Sequence, residues 1–580
     1  VGAVLLSFTF LKPGTFSLSW VGFVNYRAIF NFSGPENLGV DFTNTYVFVG
    51  LSLAIETVLG IVVALLLAKQ VRGIGLFRTI YALPLLVASV GAAVAWSALL
   101  NRANGWVDYF LGLVGLGQPV WLADPKTAML SVVIADSWSG VPVVAFIVLA
   151  GLLSLPTDPV EASRVDGASS LQTLRYITLP ALRPVIAFAV LYRMLGLFQQ
   201  FVLFQVMTGG GPVRATQTFS QLLYSSVGTP GFDGAMAVVL VLMMVPALCI
   251  LLPLAAPRRA RGRRFPKLRV PSLRLPTSRR NDVEAQMFSQ RGRLRRLGAR
   301  TARARRATGN WLSVSALAIG TAFILLPLLW IVVTAFQSPA TAFQLPPRFI
   351  FTPTLSNFSA LYSGQESVVV PYLHDIGHSL IVLISSGALA LGLGVPAGYA
   401  LARSRFRGSR VITSGLIALF IAPAILYVIP LYFIYTRLDV AYTYPSLVLF
   451  YETFELPIVI FLMRSYFADV PPDFEDSART DGCTRWQAFH RVVLPMVRPG
   501  LVTVALLVAI SSWGEFFGAT ILTTTSTQTA PVAIFTYVSF GTANWSVLAA
   551  ATLVLVTPVL FLTIFLLRGF AQRFTTVQIA

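Results

Sequence analysis

Twelve long apolar runs dominate the chain and constrain its fold more than any other feature. They fall near 1–11, 44–68, 77–100, 127–153, 185–207 and 234–256, and again near 311–336, 377–402, 411–436, 444–467, 500–522 and 546–567. Apart from the first, each is long enough to cross a bilayer core as a helix, which takes about 20 residues. Backbone groups in lipid must be satisfied within their own segment, so helices are the default. Barrel strands would show alternation over only about 10 residues. The charged fraction is 11% and the mean hydropathy +0.75, whereas soluble domains carry about 25% charged residues. The reading is an all-α polytopic membrane protein with two pseudo-equivalent six-helix halves. The run at 1–11 is only half a span, which predicts that part of the first span and the N-terminus lie upstream.

The formal charge of +20 is concentrated in one place. Residues 258–306 hold 18 Arg or Lys against two acids, Asp282 and Glu284. We read 257–310 as a basic cytoplasmic linker between a first half, 1–256, and a second half, 311–580. Such a segment fits the excess of Lys and Arg on cytoplasmic loops and can touch anionic lipid headgroups. It has almost no aromatics and no nucleic-acid-binding motif, so no nucleic-acid partner is expected. Its spaced prolines suggest a loosely ordered tether that keeps the halves together. Simple alternation of spans puts Lys69, Arg72, Arg78, Arg403, Arg405, Arg407, Arg410, Arg568 and Arg573 on the linker's side, while the opposite loops are near neutral. Both halves therefore share one orientation. Cys249 and Cys483 stand alone and suggest neither a disulfide nor a metal site.

An internal repeat interrupts the apolar runs. "EASRVDGASSLQTLRYITLP" at 161–180 returns as "DSARTDGCTRWQAFHRVVLP" at 476–495, a shift of 315. Asp158 meets Asp473, Arg164 meets Arg479, Asp166-Gly167 meets Asp481-Gly482, and Leu179-Pro180 meets Leu494-Pro495. Each copy reads as a helix, a glycine turn and a second helix. Asp158 and Asp473 suit the N-cap, Pro159 the first helical position, and Glu161 and Asp476 the third. Gly167 and Gly482 supply the turn, Ser169 or Ser170 and Thr484 cap the second helix, and "LP" closes it.

These copies resemble the EAA loops of ABC importer permeases. The resemblance implies a type I importer fold, with a coupling helix near 158–167 and another near 473–482. It implies ATPase-coupling roles for Glu161, Ala162, Ser163, Asp166 and Gly167, and for Asp476, Ser477, Ala478, Asp481 and Gly482. Copy one departs by Ser for the second Ala, and copy two by Asp-Ser for Glu-Ala. "MTGGGPVRATQTF" at 207–219 and "WGEFFGATILTTTSTQTAPVAIF" at 513–535 look like the first and second permeases of maltose-type carbohydrate importers, here in one chain. Implied partners are two ABC ATPase subunits that bind ATP and Mg, an extracytoplasmic substrate-binding protein and a carbohydrate. No cofactor is expected in this chain. Nor is an enzyme: a phosphate-binding loop needs Gly-Lys-Ser/Thr, and none of Lys12, Lys69, Lys126 and Lys267 follows Gly.

Polar groups within spans are candidates for the substrate pocket. Trp138, Tyr192, Gln199, Gln200, Glu452, Glu455, Trp513 and Glu515 offer the hydrogen bonds and aromatic faces a sugar needs. Each can equally join one helix to another. His374 and His378 have metal-ligand spacing, but no metal is expected where a span enters from outside. The competing classes are a 12-span secondary transporter of major-facilitator type and an ABC permease for ferric iron or polyamine.

Overall fold

The computed structural model describes residues 2–11, 18–31, 38–69, 73–115, 117–225, 230–255, 311–342, 344–363, 371–404, 406–421, 424–539 and 544–577. The basic linker lies outside them. Among the described residues, six single helices are long and apolar enough to cross a membrane: Gly39–Leu67, Pro125–Leu153, Ser170–Phe198, Trp311–Ala335, Tyr372–Arg403 and Tyr444–Asp469. Two bent helix pairs bring the number to as many as eight, where the sequence shows twelve apolar runs. A helix of 29 residues, such as Gly39–Leu67, rises about 43 Å at about 1.5 Å per residue. That exceeds a hydrocarbon core of about 30 Å, so such helices tilt or project beyond it. Helices Pro230–Ala255 and Trp545–Val577 follow the last outer loop of each half.

Several runs read as continuous are broken. The third span bends by 100° between Ile74–Leu86 and Ser89–Leu99. The fifth ends at Phe198, and Val202–Met207 is a separate helix. Its counterpart ends at Gly514 and restarts at Phe517. The run at 411–436 is two helices, Ser409–Ile421 and Ile425–Arg437. Hydropathy reports side chains and is blind to backbone turns, so an apolar break leaves no trace in it. The run at 1–11 also differs, because it is helical only over Gly2–Leu6. Thr9–Leu11 then pairs antiparallel with Leu18–Trp20, Thr9 opposite Trp20. Asn25 pins this hairpin by donating to the Ser7 and Thr9 carbonyls, both at 2.9 Å.

Within each half a glycine of the second span lets a valine side chain of the fourth pack against its backbone. A Cβ on Gly60 would lie 2.6 Å from Val144 atoms, and one on Gly394 2.5 Å from Val459. Val144 and Val459 are themselves 315 residues apart, so the two contacts are copies of one another. Small residues permit this approach where lipid offers no hydrophobic drive to associate.

The halves interlock through their first spans. Trp311–Ala335 belongs by sequence to the second half but packs on the first. Trp138 Nε1 donates to the Ile324 carbonyl at 3.0 Å, the Trp96 and Phe323 rings lie 5.6 Å apart, and Lys69 Nζ reaches Ser313 Oγ at 2.7 Å. Gly2–Leu6 packs on Pro230–Ala255 of its own half and also on Ile425–Arg437 of the second. Near the breaks, Phe201 stacks against Phe516 and meets Phe517 edge-on. So broad an interface does not depend on a covalent tether. A protease site placed within 257–310 and cut after folding should leave the halves co-eluting from a sizing column in mild detergent. Their separation on cleavage would contradict the interlock.

Candidate functional site

The repeated segments form two hairpins of matching geometry. In the first, Asp158–Val165 is helical, and Gly167 takes φ +81°. The Gly167 N–H donates to the Arg164 carbonyl at 3.2 Å and the Ala168 N–H to the Ser163 carbonyl at 2.9 Å. In the second, Asp473–Thr480 is followed by Gly482 at φ +92°, with bonds from Gly482 to Arg479 at 3.1 Å and from Cys483 to Ala478 at 3.0 Å. Left-handed backbone closing a helix in this way strongly favours glycine. Reciprocal capping boxes then start the second limbs, Ser169 with Gln172 and Thr484 with Gln487.

Two expectations are corrected by this geometry. The helix N-caps are Thr157 and Pro472, so Asp158 and Asp473 stand one position inside, and Glu161 and Asp476 fall a residue later than expected. These acids remain in the first turn, where the positive helix end favours them. In the first copy "LP" does not close the second limb, because the chain runs through a π turn, Leu174–Thr178, directly into the fifth span. In the second copy the π turn is Phe489–Val493, and the limb ends at Met496, one residue past "LP". The shifted hydrogen bonding of a π turn lies immediately before Pro180 and Pro495, which have no N–H to donate. In the second half a further bend of 77° separates Arg485–Met496 from Arg498–Gly514.

Of the ten residues assigned to coupling, Ser163 and Ala478 are buried and hold the hairpins together. Glu161, Ala162, Asp166, Gly167, Asp476, Ser477, Asp481 and Gly482 are exposed. Beside them stand exposed apolar side chains: Val165, Leu171 and Tyr176 in one hairpin, Phe474 and Trp486 in the other.

Inside the first half lies an ion cluster. Arg193 donates through Nε and Nη2 to both Glu56 oxygens at 2.6 and 2.7 Å, and through Nη2 to Asp136 at 2.8 Å. Gln200 completes it by donating to the other Asp136 oxygen at 2.7 Å. Three spans meet here. A Cβ on Gly140 would lie 2.1 Å from a Glu56 oxygen, so only glycine leaves room for that carboxylate. Glu56 is fully buried, yet sequence reasoning passed it over. A lone acid within an otherwise apolar span was the available signal. The second half lacks this cluster: a shift of 315 takes Asp136 to Tyr451, Gly140 to Glu455, Arg193 to Val508 and Gln200 to Glu515.

Most pocket candidates are already engaged. Trp138 is bonded to Ile324, and Trp513 Nε1 donates to the Leu555 carbonyl at 2.8 Å. Gln199 Oε1 accepts from the Ala424 N–H of the other half at 3.2 Å. Glu515 caps the short helix after its break, accepting from the Gly518 and Ala519 N–H groups at 2.7 and 2.9 Å. Tyr192 is 47% exposed. Glu452 and Glu455 differ from the rest. Their buried oxygens meet no donor at hydrogen-bond geometry among the described residues, although the Ser386 and Ser512 hydroxyls lie beside Glu455. Between the halves, at the break in the third span, a cleft of about 230 Å³ is lined by Leu85–Ser89 from one side and by Ser511, Trp513 and Leu555 from the other. His378 Nδ1 lies 3.0 Å from the Gln528 carbonyl, and no group of metal ligands occurs among the described residues.

Two bundles of like design, each with one surface hairpin, describe a membrane transport subunit rather than a channel of independent helices. The family of binding-protein-dependent transport system inner membrane components matches residues 56–254 and 394–576, and the chain belongs to it. A probable ABC transporter permease of Sinorhizobium fredii is 35% identical over 43% of this chain and 88% of its own length. The trehalose/maltose transport system permease of Thermococcus litoralis is 33% identical over 37% of this chain and 74% of its own. The trehalose transport system permease of Mycobacterium tuberculosis is 35% identical, covering 45% and 94%. Each relative spans less than half of this chain, as expected if two such proteins are joined here.

Removing Arg193 strands two buried carboxylates, and breaking a buried ion pair from one side costs about 3–5 kcal/mol. Arg193→Ala should therefore lower the melting midpoint of the purified protein far more than Arg437→Ala, with loss of monodispersity in detergent. Equal melting of the two variants would contradict a structural role for the cluster.

Proposed function

We propose that the chain supplies both membrane-crossing halves of an ATP-driven importer of a sugar or oligosaccharide. The observation that carries this reading is the pair of hairpins. Two surfaces of one geometry, 315 residues apart, present matching acids and exposed apolar groups on the side assigned to the cytoplasm. Two ATPase subunits would seat there and hold the ATP and Mg, since no lysine in this chain follows glycine. Closure of the motors would draw the hairpins together and open the path outward, and hydrolysis would reset it. A major-facilitator transporter has no use for such a pair, and the family membership speaks against that class.

An extracytoplasmic binding protein would meet the opposite face. The loop over 208–217 suits this contact. Arg214 is paired with buried Asp41 at 2.6 Å, Thr208 and Thr216 are joined at 2.7 Å, and Val213 stands almost fully exposed at the tip. A carbohydrate cargo is supported by the relatives that carry trehalose or maltose in their names. Within the second half, Glu452 and Glu455 can accept from sugar hydroxyls, which supply the missing donors. Ferric iron and polyamines are the less favoured cargoes.

The reading is tested in proteoliposomes holding this chain, its ATPase and its binding protein. A side chain at a left-handed position costs about 1–2 kcal/mol, so Gly167→Val or Gly482→Val should distort the docking turn while the spans stay folded. We expect sugar uptake to fall by about tenfold or more with normal elution from a sizing column. Wild-type uptake in both variants would overturn the docking role.

A further inference from the structure

The two hairpins are alike in backbone but anchored differently. In the second, Glu475 projects from the coupling helix back toward its own half. Its carboxylate accepts from the Tyr399 hydroxyl, and Arg403 Nε lies 3.1 Å from it. Arg403 also donates through Nη2 to the Val470 carbonyl at 3.0 Å, at the end of the fourth span. The pair is largely shielded from solvent, with side-chain exposures of 16% and 13%. The Tyr399 ring is held between Phe467 and Phe489, with centroids 5.5 and 4.6 Å away. One small constellation thus joins the second span, the fourth span and both limbs of the hairpin.

The first half lacks it. A shift of 315 takes Glu475 to Val160. The matching contacts of Gly60 on Val144 and Gly394 on Val459 set the register of the second spans, which aligns Tyr399 with Leu65 and Arg403 with Lys69. Lys69 turns away from its hairpin and bonds Ser313 of the exchanged first span at 2.7 Å. The first hairpin is instead closed on itself. Ser163 and Thr173 share a hydrogen bond of 3.0 Å where the second hairpin has Ala478 and Ala488. The Ser163–Thr173 bond ties the Asp158–Val165 helix to the Ser170–Phe198 helix, but no side-chain bond ties it to the second or fourth span of its half among the described residues.

We propose that Glu475 is a positioning residue that clamps the second coupling helix to its half through Arg403 and Tyr399. A push on the second hairpin then reaches the Tyr372–Arg403 and Tyr444–Asp469 spans through Glu475 as well as along the chain. The first hairpin has no such link to its second and fourth spans and passes a push along its continuous Ser170–Phe198 helix. The proposal rests on the docking reading above for the source of the push, but the clamp itself is a property of this chain alone.

The test uses Glu475→Ala, Arg403→Ala and the double variant, with spin labels at Ala402 and Thr480. In the purified permease, loss of the clamp should broaden the distance distribution between the labels, and the double variant should be no broader than either single one. In proteoliposomes with ATPase and binding protein, ATP consumed per sugar imported should rise by about tenfold, the scale of one hydrogen bond to a charged group. ATPase co-purification should be unchanged. Lys69→Ala should leave the equivalent distance across the first hairpin, between labels at Ala68 and Val165, as it was. An unbroadened Glu475→Ala distribution overturns the clamp. So does a wild-type ATP-to-sugar ratio in a complex that still binds its ATPase. Failure of even the unaltered permease to bind an ATPase would sink the docking reading instead, and the label distances would still decide the clamp.

Discussion

Backbone amides and carbonyls that leave a helix within hydrocarbon must find new partners, and this requirement organises the whole structure. The chain breaks its helices near 87, 199 and 515, all within or beside apolar runs, and a new helix starts after Ala424. The polar side chains clustered there are the repairs. Gln199 takes the amide of Ala424 across the interface. Ser220 donates to the Gln200 carbonyl at 2.7 Å, and Glu515 covers the amides of the helix after it. Trp138 and Trp513 each commit their one N–H to a backbone carbonyl of a neighbouring span. Of the residues that look like sugar ligands in the sequence, Gln199 and Glu515 satisfy backbone groups at the breaks, and Trp138 and Trp513 tie one span to another.

Bent spans give the molecule its capacity to move, and the two halves are fitted to move unequally. The first is braced at its centre by the Arg193 cluster, and its hairpin lacks the link to the second and fourth spans that Glu475 makes in the other half. The second has no such brace. Its centre holds Glu452 and Glu455 with oxygens that lack donors among the described residues, while its hairpin is clamped by Glu475. A cavity that must accept and release a polar cargo benefits from hydrogen-bond capacity that the protein has not already filled. The Glu475 clamp and the donor-poor Glu452 and Glu455 belong to the same half. The exchanged first spans then oblige the other half to follow.

Much of this was legible in the sequence. Hydropathy located the spans because lipid punishes charge within them. The repeat located both hairpins because Gly167 and Gly482 occupy backbone conformations that other residues resist, and Ser169 and Thr484 were readable as caps. The coupling helices began one residue earlier than read, at Thr157 and Pro472, since Thr, Pro and Asp in sequence offer several plausible starts. Three features were not legible. Helix breaks within apolar runs change no composition. The exchange of first spans is a matter of which half a helix chooses, and hydropathy is the same either way. Glu56 was missed because its meaning depends on Arg193, 137 positions away, and on the space left by Gly140.

The account stands on one mechanical statement: nucleotide binding below the membrane draws the two hairpins toward each other. Spin labels at Asp166 and Asp481 in the assembled transporter measure that separation directly, with and without a non-hydrolysable ATP analogue. A single, shorter distance in the nucleotide-bound state is predicted. An unchanged distance in a preparation that still imports sugar would contradict it.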